Sequence, residues 1–445
     1  MRWVWSEVYK RRLMRRVWVA LAAAQQGAGL VSAEQLADLE GKVDAVDIER
    51  ALGIERETRH DVMAEIRAFA EQCPAGAKII HLGATSADIT DNVDVLRLRE
   101  AGRLLAHHLQ KLLSLFANQI ETTAHWPIMA YTHIQPAEPT TLGYRLAGYA
   151  QDLLENWQQL QTLLANLRGK GMKGAVGTQA SFQQLLAGTT ISPQALEAAV
   201  MERLALPYFP IAGQTYPRQQ DLQLQQCLAA LAASLHKFAL DFRLLQSPAI
   251  GEWREPFGRQ QVGSSAMPFK RNPIQSENIC SLARYVASLS AVAWENASQA
   301  ILERSLDDSA NRRIFQAESF LATEEMLLKA NQVVAGMVVD RPAVERNLAA
   351  FGPFAATERV LMALVAAGAD RQEGHEWIRQ VSLEAWQGVE QGGDNPLLDL
   401  LLSRPEIRQF LSEDQIRETM NVAQHLGTAG ERAWQFAQTI RQALP

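Results

Sequence analysis

Apolar side chains recur at alternating steps of three and four along much of this 445-residue chain. Leu224, Leu228, Leu231, Leu235, Phe238, Phe242 and Leu245 form one heptad seam, with no Gly or Pro between Asp221 and Ser247. Leu146, Tyr149, Leu153, Trp157, Leu160, Leu164 and Leu167 form a second, and Leu98, Ala101, Leu105, Leu109, Leu112, Phe116 and Ile120 a third. Ile279, Leu282, Val286, Leu289 and Ala293 suggest a fourth, and Ile314, Ala317, Leu321 and Leu328 a fifth. Period-two alternation is nearly absent, so the pattern predicts an all-α fold. Long helices with such seams bury them against each other at shallow crossing angles. Seams this long and Leu-rich exceed what one chain covers, which predicts association between copies.

Punctuation divides the chain further. Trp3, Trp5, Tyr9, Leu13 and Val17 recur at helical spacing, so the Arg-rich start is read as an amphipathic helix and not as a secretory or transit leader. Ser32 and Gln35 have capping-box spacing. After Asp340 the helices are expected to shorten, with breaks at Gly352-Pro353, Gly392-Gly393 and Gly427. The expected organisation is an N-terminal helical domain (1–85), a central long-helix bundle (86–340) and a small C-terminal helical domain (341–445).

Composition narrows the class. The formal net charge is -6, which gives no global attraction to nucleic acid or acidic lipid, so an anionic ligand must meet a local cluster of cations. No run of about eighteen uninterrupted apolar residues occurs, so no membrane span is expected. Cys73, Cys227 and Cys280 are few and far apart, which argues for free thiols and against a disulfide framework or a zinc site. A cytoplasmic location is the expectation.

Polar residues concentrate in six segments that fall near helix ends: 58–61, 81–86, 131–136, 173–179 with 214–218, 263–273 and 303–313. Ends of antiparallel helices meet in space, so distant segments can build one site. The inventory suits acid–base chemistry on an anion. Arg59, Arg304 and Arg313 are candidates to hold phosphate or carboxylate oxygens. A histidine is a candidate general acid, and a serine can act as a base where Lys270 and backbone N–H groups stabilise its alkoxide. His60, His81 and His133 are singled out by their company, while His107, His108, His125, His236, His375 and His425 are read as ordinary polar residues. Taken alone, Gly263-Ser264-Ser265 reads as a surface loop and 303–313 as a solvated charged face. No Walker loop, GxGxxG or HExxH is present, so neither cofactor nor metal is expected.

The segment GSSAMPFKRNP at 263–273 resembles the signature loop of the fumarase/aspartase superfamily. TRHD, HLGATS, THIQP, KGAVGTQASF, GQTYPR and ERSLDDSANRR are similar to segments of the adenylosuccinate lyase family, in that family's order and across nearly the whole chain. The resemblance implies a three-domain, homotetrameric helical fold with active sites shared between subunits. It implies β-elimination of fumarate from purine nucleotide substrates. Ser264 would be the base, His133 the acid, and Lys270 and Asn272 the stabilisers of the developing negative charge, with His81 nearby. Arg59, His60, Asp61, Thr85, Ser86, Thr132, Gln214, Ser265, Arg304, Ser309 and Arg313 would bind substrate. The family's N-terminal Arg-Tyr pair would lie before Met1, and the expectation is that the chain is shortened, that its start is misassigned, or that another group such as Arg15 or Arg16 compensates. Asn278 stands where the animal-like subgroup tends to carry Arg. A sister elimination such as argininosuccinate cleavage, a cycloisomerase, and a catalytically silent relative are the competing readings.

Overall fold

The computed structural model describes residues 1–445. Its helices are α1 (Glu7–Gly27), α2 (Ala33–Glu40), α3 (Ile48–Thr58), α4 (Asp61–Gln72), α5 (Ser86–Thr123), α6 (Leu142–Ala165), α7 (Ala180–Leu185), α8 (Pro193–Arg203), α9 (Gln219–Gln246), α10 (Ile274–Ser298) and α11 (Asp307–Gly336). After these come α12 (Arg341–Ala355), α13 (Thr357–Ala366), α14 (Arg371–Glu390), α15 (Leu397–Ser403), α16 (Pro405–Arg408), α17 (Glu413–Thr419) and α18 (Ala429–Ala443). Two short antiparallel pairs complete it: β1 (Pro127–Thr132) with β2 (Gln135–Thr141), and β3 (Trp253–Arg254) with β4 (Val338–Val339).

The chain divides into two compact units, one made of 1–109, 156–233 and 281–327, the other of 110–155, 234–280 and 328–445. In the first, Ser6 caps α1 by accepting the Tyr9 N–H, and Ser32 and Gln35 close the capping box of α2. Leu98, Ala101 and Leu105 of α5 and Leu224, Leu228 and Leu231 of α9 are buried, as their seams predict. Gly102 lets α5 approach α6, because a Cβ there would lie 2.2 Å from the Leu164 side chain.

The second unit holds the other ends of those seams. Phe116 and Phe242 each pack on Phe238, with ring centroids 5.4 and 5.9 Å apart, and Trp253 stands 5.5 Å from Phe242. The Tyr149 hydroxyl donates to Asp241 at 2.8 Å between α6 and α9. Downstream, Val360, Leu364, Leu397, Leu401 and Ile416 make a separate small core among α13 to α17. The segment Arg341–Ala366 is apolar enough for a membrane span by length and composition, but it is two helices that meet at Ala356.

Three expectations shift. The fifth stripe lies on the wrong face of α11: Ile314 and Leu328 are exposed, while Phe315, Ser319, Thr323 and Met326 are buried. The predicted break at Gly352-Pro353 does not occur, since α12 runs on to Ala355. Gly352 instead permits contact with Val422, whose Cγ1 would lie 2.8 Å from a Cβ. The hairpin β1–β2 was not foreseen.

Gly143, in the first turn of α6, is packed directly against main chain: its Cβ would sit 2.6 Å from the Ala124 Cα and 2.8 Å from the Ile120 carbonyl. Main chain cannot swing aside as a side-chain tip can. Gly143→Ala is therefore expected to destabilise by about 1–3 kcal/mol, read as a lower urea midpoint; an unchanged midpoint would contradict this packing.

Candidate active site

Nine of the predicted substrate residues line one cleft of about 500 Å³ in the first unit. Arg59, His60 and Asp61 reach it from the corner between α3 and α4. Arg59 ends α3 in the left-handed conformation (φ 53°), and His60 caps α4, its Nδ1 accepting the Met63 N–H at 3.4 Å. Asp61 is held below the usual carboxylate range: burial opposes ionisation, but Lys10 at 3.3 Å, the Val62 N–H and the charge of Arg313 prevail. Thr85 and Ser86 open α5, and the Thr85 N–H donates to Asp88 at 2.9 Å. Gln214 is fixed by its N–H to the Glu303 carbonyl at 3.1 Å. Arg304, Ser309 and Arg313 come from the start of α11 and the loop before it.

The same wall contains a largely buried ionic network. Arg218 pairs with Asp308 at 2.6 Å and with Asp91 at 3.2 Å. Arg312 pairs with Asp221 at 2.8 Å and Asp94 at 3.1 Å, and donates to the Tyr216 hydroxyl at 2.7 Å. Tyr216 donates in turn to Asp221 at 2.6 Å. Burial works against the Arg312 charge, but Asp221, Tyr216, Asp94 and Asp91 overcome it and raise its pKa well above the ordinary value. Sequence reading had grouped Tyr216, Arg218 and Arg312 with the polar segments and given them no role. Asp91, Asp94 and Asp221 carried no signal, because acids near the start of a long helix read as ordinary first-turn residues and their arginine partners are far away in the chain. A second buried acid, Asp88, gathers the 81–86 and 173–179 segments, accepting Lys170 Nζ and the N–H groups of Lys173 and Gly174. Lys173 is spent on Glu197.

The cleft arginines differ from those of the network. Arg59 has no ion pair, Arg313 reaches only Ser309 (3.2 Å), and Arg304 meets Asp308 at 3.7 Å with its buried Nε unsatisfied. Burial lowers the Arg304 pKa, Asp308 opposes this, and Arg218 and Arg312 add to it. Guanidinium groups left with unused donors at a cleft suit an incoming phosphate or carboxylate. Arg15 and Arg16 do not reach this cleft. Arg15 is fully buried on Glu65 at 2.6 Å, and Arg16 lines a different recess. Trp5 and Arg97, in contact at 4.6 Å, line the cleft at the N-terminal end instead.

His81 sits in the left-handed region (φ 68°) and its Nδ1 accepts the Trp18 indole N–H at 3.1 Å. That hydrogen bond requires an unprotonated Nδ1, so the neutral ring carries its proton on Nε2. Burial lowers its pKa; Asp88 opposes this and His60 adds to it.

The second unit contains the other predicted residues. Thr132 and His133 are exposed on the β1–β2 turn. Thr132 pairs with Gln135, leaving His133 and Ile134 as a two-residue loop with φ of 53° and 62°. That is the backbone of a type I′ turn, which ordinarily uses Asn or Gly. A β-branched Ile there is strained, and such strain concentrates at working sites. In the signature loop, Ser264 Oγ accepts the N–H groups of Ala266 (3.3 Å) and Met267 (3.1 Å). Asn272 donates to the Gly263 carbonyl at 3.4 Å. Gly263 must lack a side chain, since a Cβ would stand 2.0 Å from the Lys270 carbonyl. Ser265 and Lys270 are exposed. The loop's exit is pinned where Glu255 accepts the Ser276 N–H and hydroxyl, both at 2.7 Å, and the Gln275 N–H at 3.1 Å, at the start of α10.

Two outcomes follow. Arg312→Met strands Asp221 and Asp94 without their counter-charge, and is expected to cost about 3–5 kcal/mol, measured by denaturant unfolding; a loss within error of zero would remove the network from its supporting role. His81 is expected to remain the neutral Nε2–H tautomer in ¹⁵N-resolved NMR at pH values where a free imidazole is half protonated. Because its folded pKa is lowered, its contribution to stability is complete above the unfolded value of about 6.5 and is lost as pH falls from there towards the folded value. A protonated His81 at pH 6.5 or an Nδ1–H tautomer would contradict the Trp18 hydrogen bond.

A family model described as lyase matches residues 3–287, and one described as adenylosuccinate lyase C-terminus matches residues 353–436. The adenylosuccinate lyase of Schistosoma mansoni is 40% identical over 89% of this chain and 84% of its own. That of Saccharomyces cerevisiae is 38% identical over 95% and 88%. Among solved structures, the 3-carboxy-cis,cis-muconate lactonizing enzyme from Pseudomonas putida superimposes with a TM-score of 0.86 at 26% identity, covering 99% of this chain and 97% of its own. The motifs, the helical architecture and relatives this similar over nearly their full lengths agree, and the chain belongs to the adenylosuccinate lyase family.

Proposed function

We propose that this lyase removes fumarate from adenylosuccinate, giving AMP, and from the succinylaminoimidazole carboxamide ribotide, giving AICAR. The observation that carries the reading is the cleft in which Arg59, Arg304 and Arg313 keep donors unused while neighbouring arginines are saturated by carboxylates. A nucleotide phosphate supplies the missing acceptors. Ser309 and Gln214 hold neighbouring groups, and Arg59, His60, Asp61, Thr85 and Ser86 contact the nucleotide. Thr132 and Ser265 complete the substrate contacts.

In the proposed elimination, Ser264 takes the proton from the succinyl β-carbon. Its Oγ already accepts two backbone N–H groups, which favour the alkoxide. Negative charge builds on the adjacent carboxylate, where Lys270 and Asn272 stabilise it. The carbon–nitrogen bond then breaks and His133 protonates the departing nitrogen. His81, held by Trp18, offers an Nε2–H donor. The lactonizing enzyme's shared fold keeps a sister reaction in view, but the unpaired arginines and the higher identity to adenylosuccinate lyases favour the nucleotide.

The working form is proposed to be a cytoplasmic homotetramer of three-domain subunits (1–85, 86–340, 341–445) with shared active sites. Exposed apolar side chains on the long helices support this, including Leu240, Leu244, Trp294 and Ile314.

Fumarate release from adenylosuccinate, with argininosuccinate and aspartate in parallel, tests the reaction; silence with adenylosuccinate would overturn it. Ser264→Ala and His133→Ala are each expected to lower kcat by on the order of 10²–10⁴ while substrate still binds. Arg313→Ala is expected to raise KM by roughly tenfold or more, from the loss of a charge-assisted contact. Mixing the Ser264 and His133 variants is expected to restore some turnover, and no recovery would argue against shared sites.

A further inference from the structure

The first unit carries a second recess, of about 450 Å³, that the proposed chemistry does not use. Four arginines converge on it: Arg16 from α1, Arg99 and Arg103 from α5, and Arg203 from the last turn of α8. Glu100 is the one acid in its lining, so the recess holds four positive charges against one negative. Leu96, Leu204 and Val43 give it an apolar side, and Tyr9 an aromatic edge.

The charges are not balanced within the protein. Elsewhere in this unit Arg11, Arg12, Arg15, Arg50, Arg218 and Arg312 each pair with a carboxylate. None of Arg16, Arg99, Arg103 and Arg203 does; Arg99 donates only to the Ala205 carbonyl. Arg99 and Arg103 are one helical turn apart on one face, where like charges oppose helix stability. Burial lowers the Arg99 pKa and the charge of Arg103 lowers it further, which marks a concentration of positive potential. The rim is strained as well: Ala205, which orients Arg99, sits at φ 48°, a conformation that Ala rarely adopts. A solvated charged face spreads its cations; this arrangement gathers them around a concavity of ligand size.

We propose that this recess binds a nucleoside polyphosphate. The arginines receive the phosphate chain through charge-assisted hydrogen bonds, and the nucleoside lies against Tyr9, Leu96 and Leu204. The site is separate from the cleft of Arg304 and Arg313, and the inference is independent of the reaction catalysed there.

Calorimetric titration of the full chain with ATP, and in parallel with inorganic tripolyphosphate, tests it. ATP is expected to bind saturably at one site per chain, and tripolyphosphate several-fold more weakly. Arg103→Gln with Arg203→Gln is expected to weaken ATP at least tenfold and to leave basal fumarate release unchanged. Arg103→Lys with Arg203→Lys, which keeps the charge, is expected to retain part of the affinity. Arg304→Gln with Arg313→Gln, which strips the other cleft, is expected to leave this binding intact. No saturable binding at millimolar ATP, or binding lost with the 304/313 pair and kept with the 103/203 pair, would overturn the site. Equal affinity for ATP and tripolyphosphate would overturn its nucleoside part.

Discussion

The cleft stands on the buried pairing of Arg218 and Arg312 with Asp91, Asp94, Asp221 and Asp308. These charges are largely buried at the floor of the cleft, with Asp94 the most exposed of them, and each would be costly alone. Together with the Tyr216 hydroxyl they bind α5, α9, α11 and the 214–218 loop into one piece. The consequence for function is geometric. Arg304 in the loop before α11 and Arg313 in its first turns flank Asp308 and Arg312, so the network fixes the backbone from which these cleft-facing groups extend. A buried hydrophobic layer would stabilise as well, but it would not fix the direction of these helix ends.

Much of the scaffold was legible because helix seams announce themselves by repetition. Leu98 to Ile120 and Leu224 to Leu245 are buried residue for residue as their spacing requires. The seam of α11 failed because Ser319 and Thr323 occupy its buried face while Ile314 and Leu328 point outward. An apolar count follows the wrong side of such a helix. The hairpin escaped notice because Gln135, Pro136 and Pro139 dilute its second strand, and few of its residues are buried. The site segments were legible as polar clusters, and the resemblance gave them roles. The network was not: Asp91 and Arg218 are 127 residues apart, and no local pattern marks such a partnership.

Backbone strain follows the same map. Seven residues other than glycine have positive φ, and Arg59, His81, His133, Ile134 and Gln179 among them lie in the polar segments. Leu302 immediately precedes the 303–313 segment, and Ala205 borders the arginine recess. Each conformation costs of order 1–3 kcal/mol, and the surrounding fold must supply it. At His133 the cause is visible. A two-residue turn presents the imidazole at the tip of a hairpin, and the tight turn leaves no choice but φ > 0 for both residues.

Paired and unpaired arginines therefore divide the work in the first unit. A guanidinium saturated by aspartates is a strut, because its donors have no capacity left for a ligand. One with idle donors beside a cavity retains the cost of its own field until an anion arrives. Arg15 does not serve the cleft despite its place near the N-terminus, since it is fully buried away from it with Glu65, Gln72 and two backbone carbonyls on its Nε and Nη1. Trp5 and Arg97 are better placed at that edge of the cleft, although Arg97 also spends its Nε on the Val4 carbonyl. The criterion sorts residues that the sequence leaves equivalent: Arg312 and Arg313 are neighbours in the chain, and one is locked in the wall while the other faces the space it encloses.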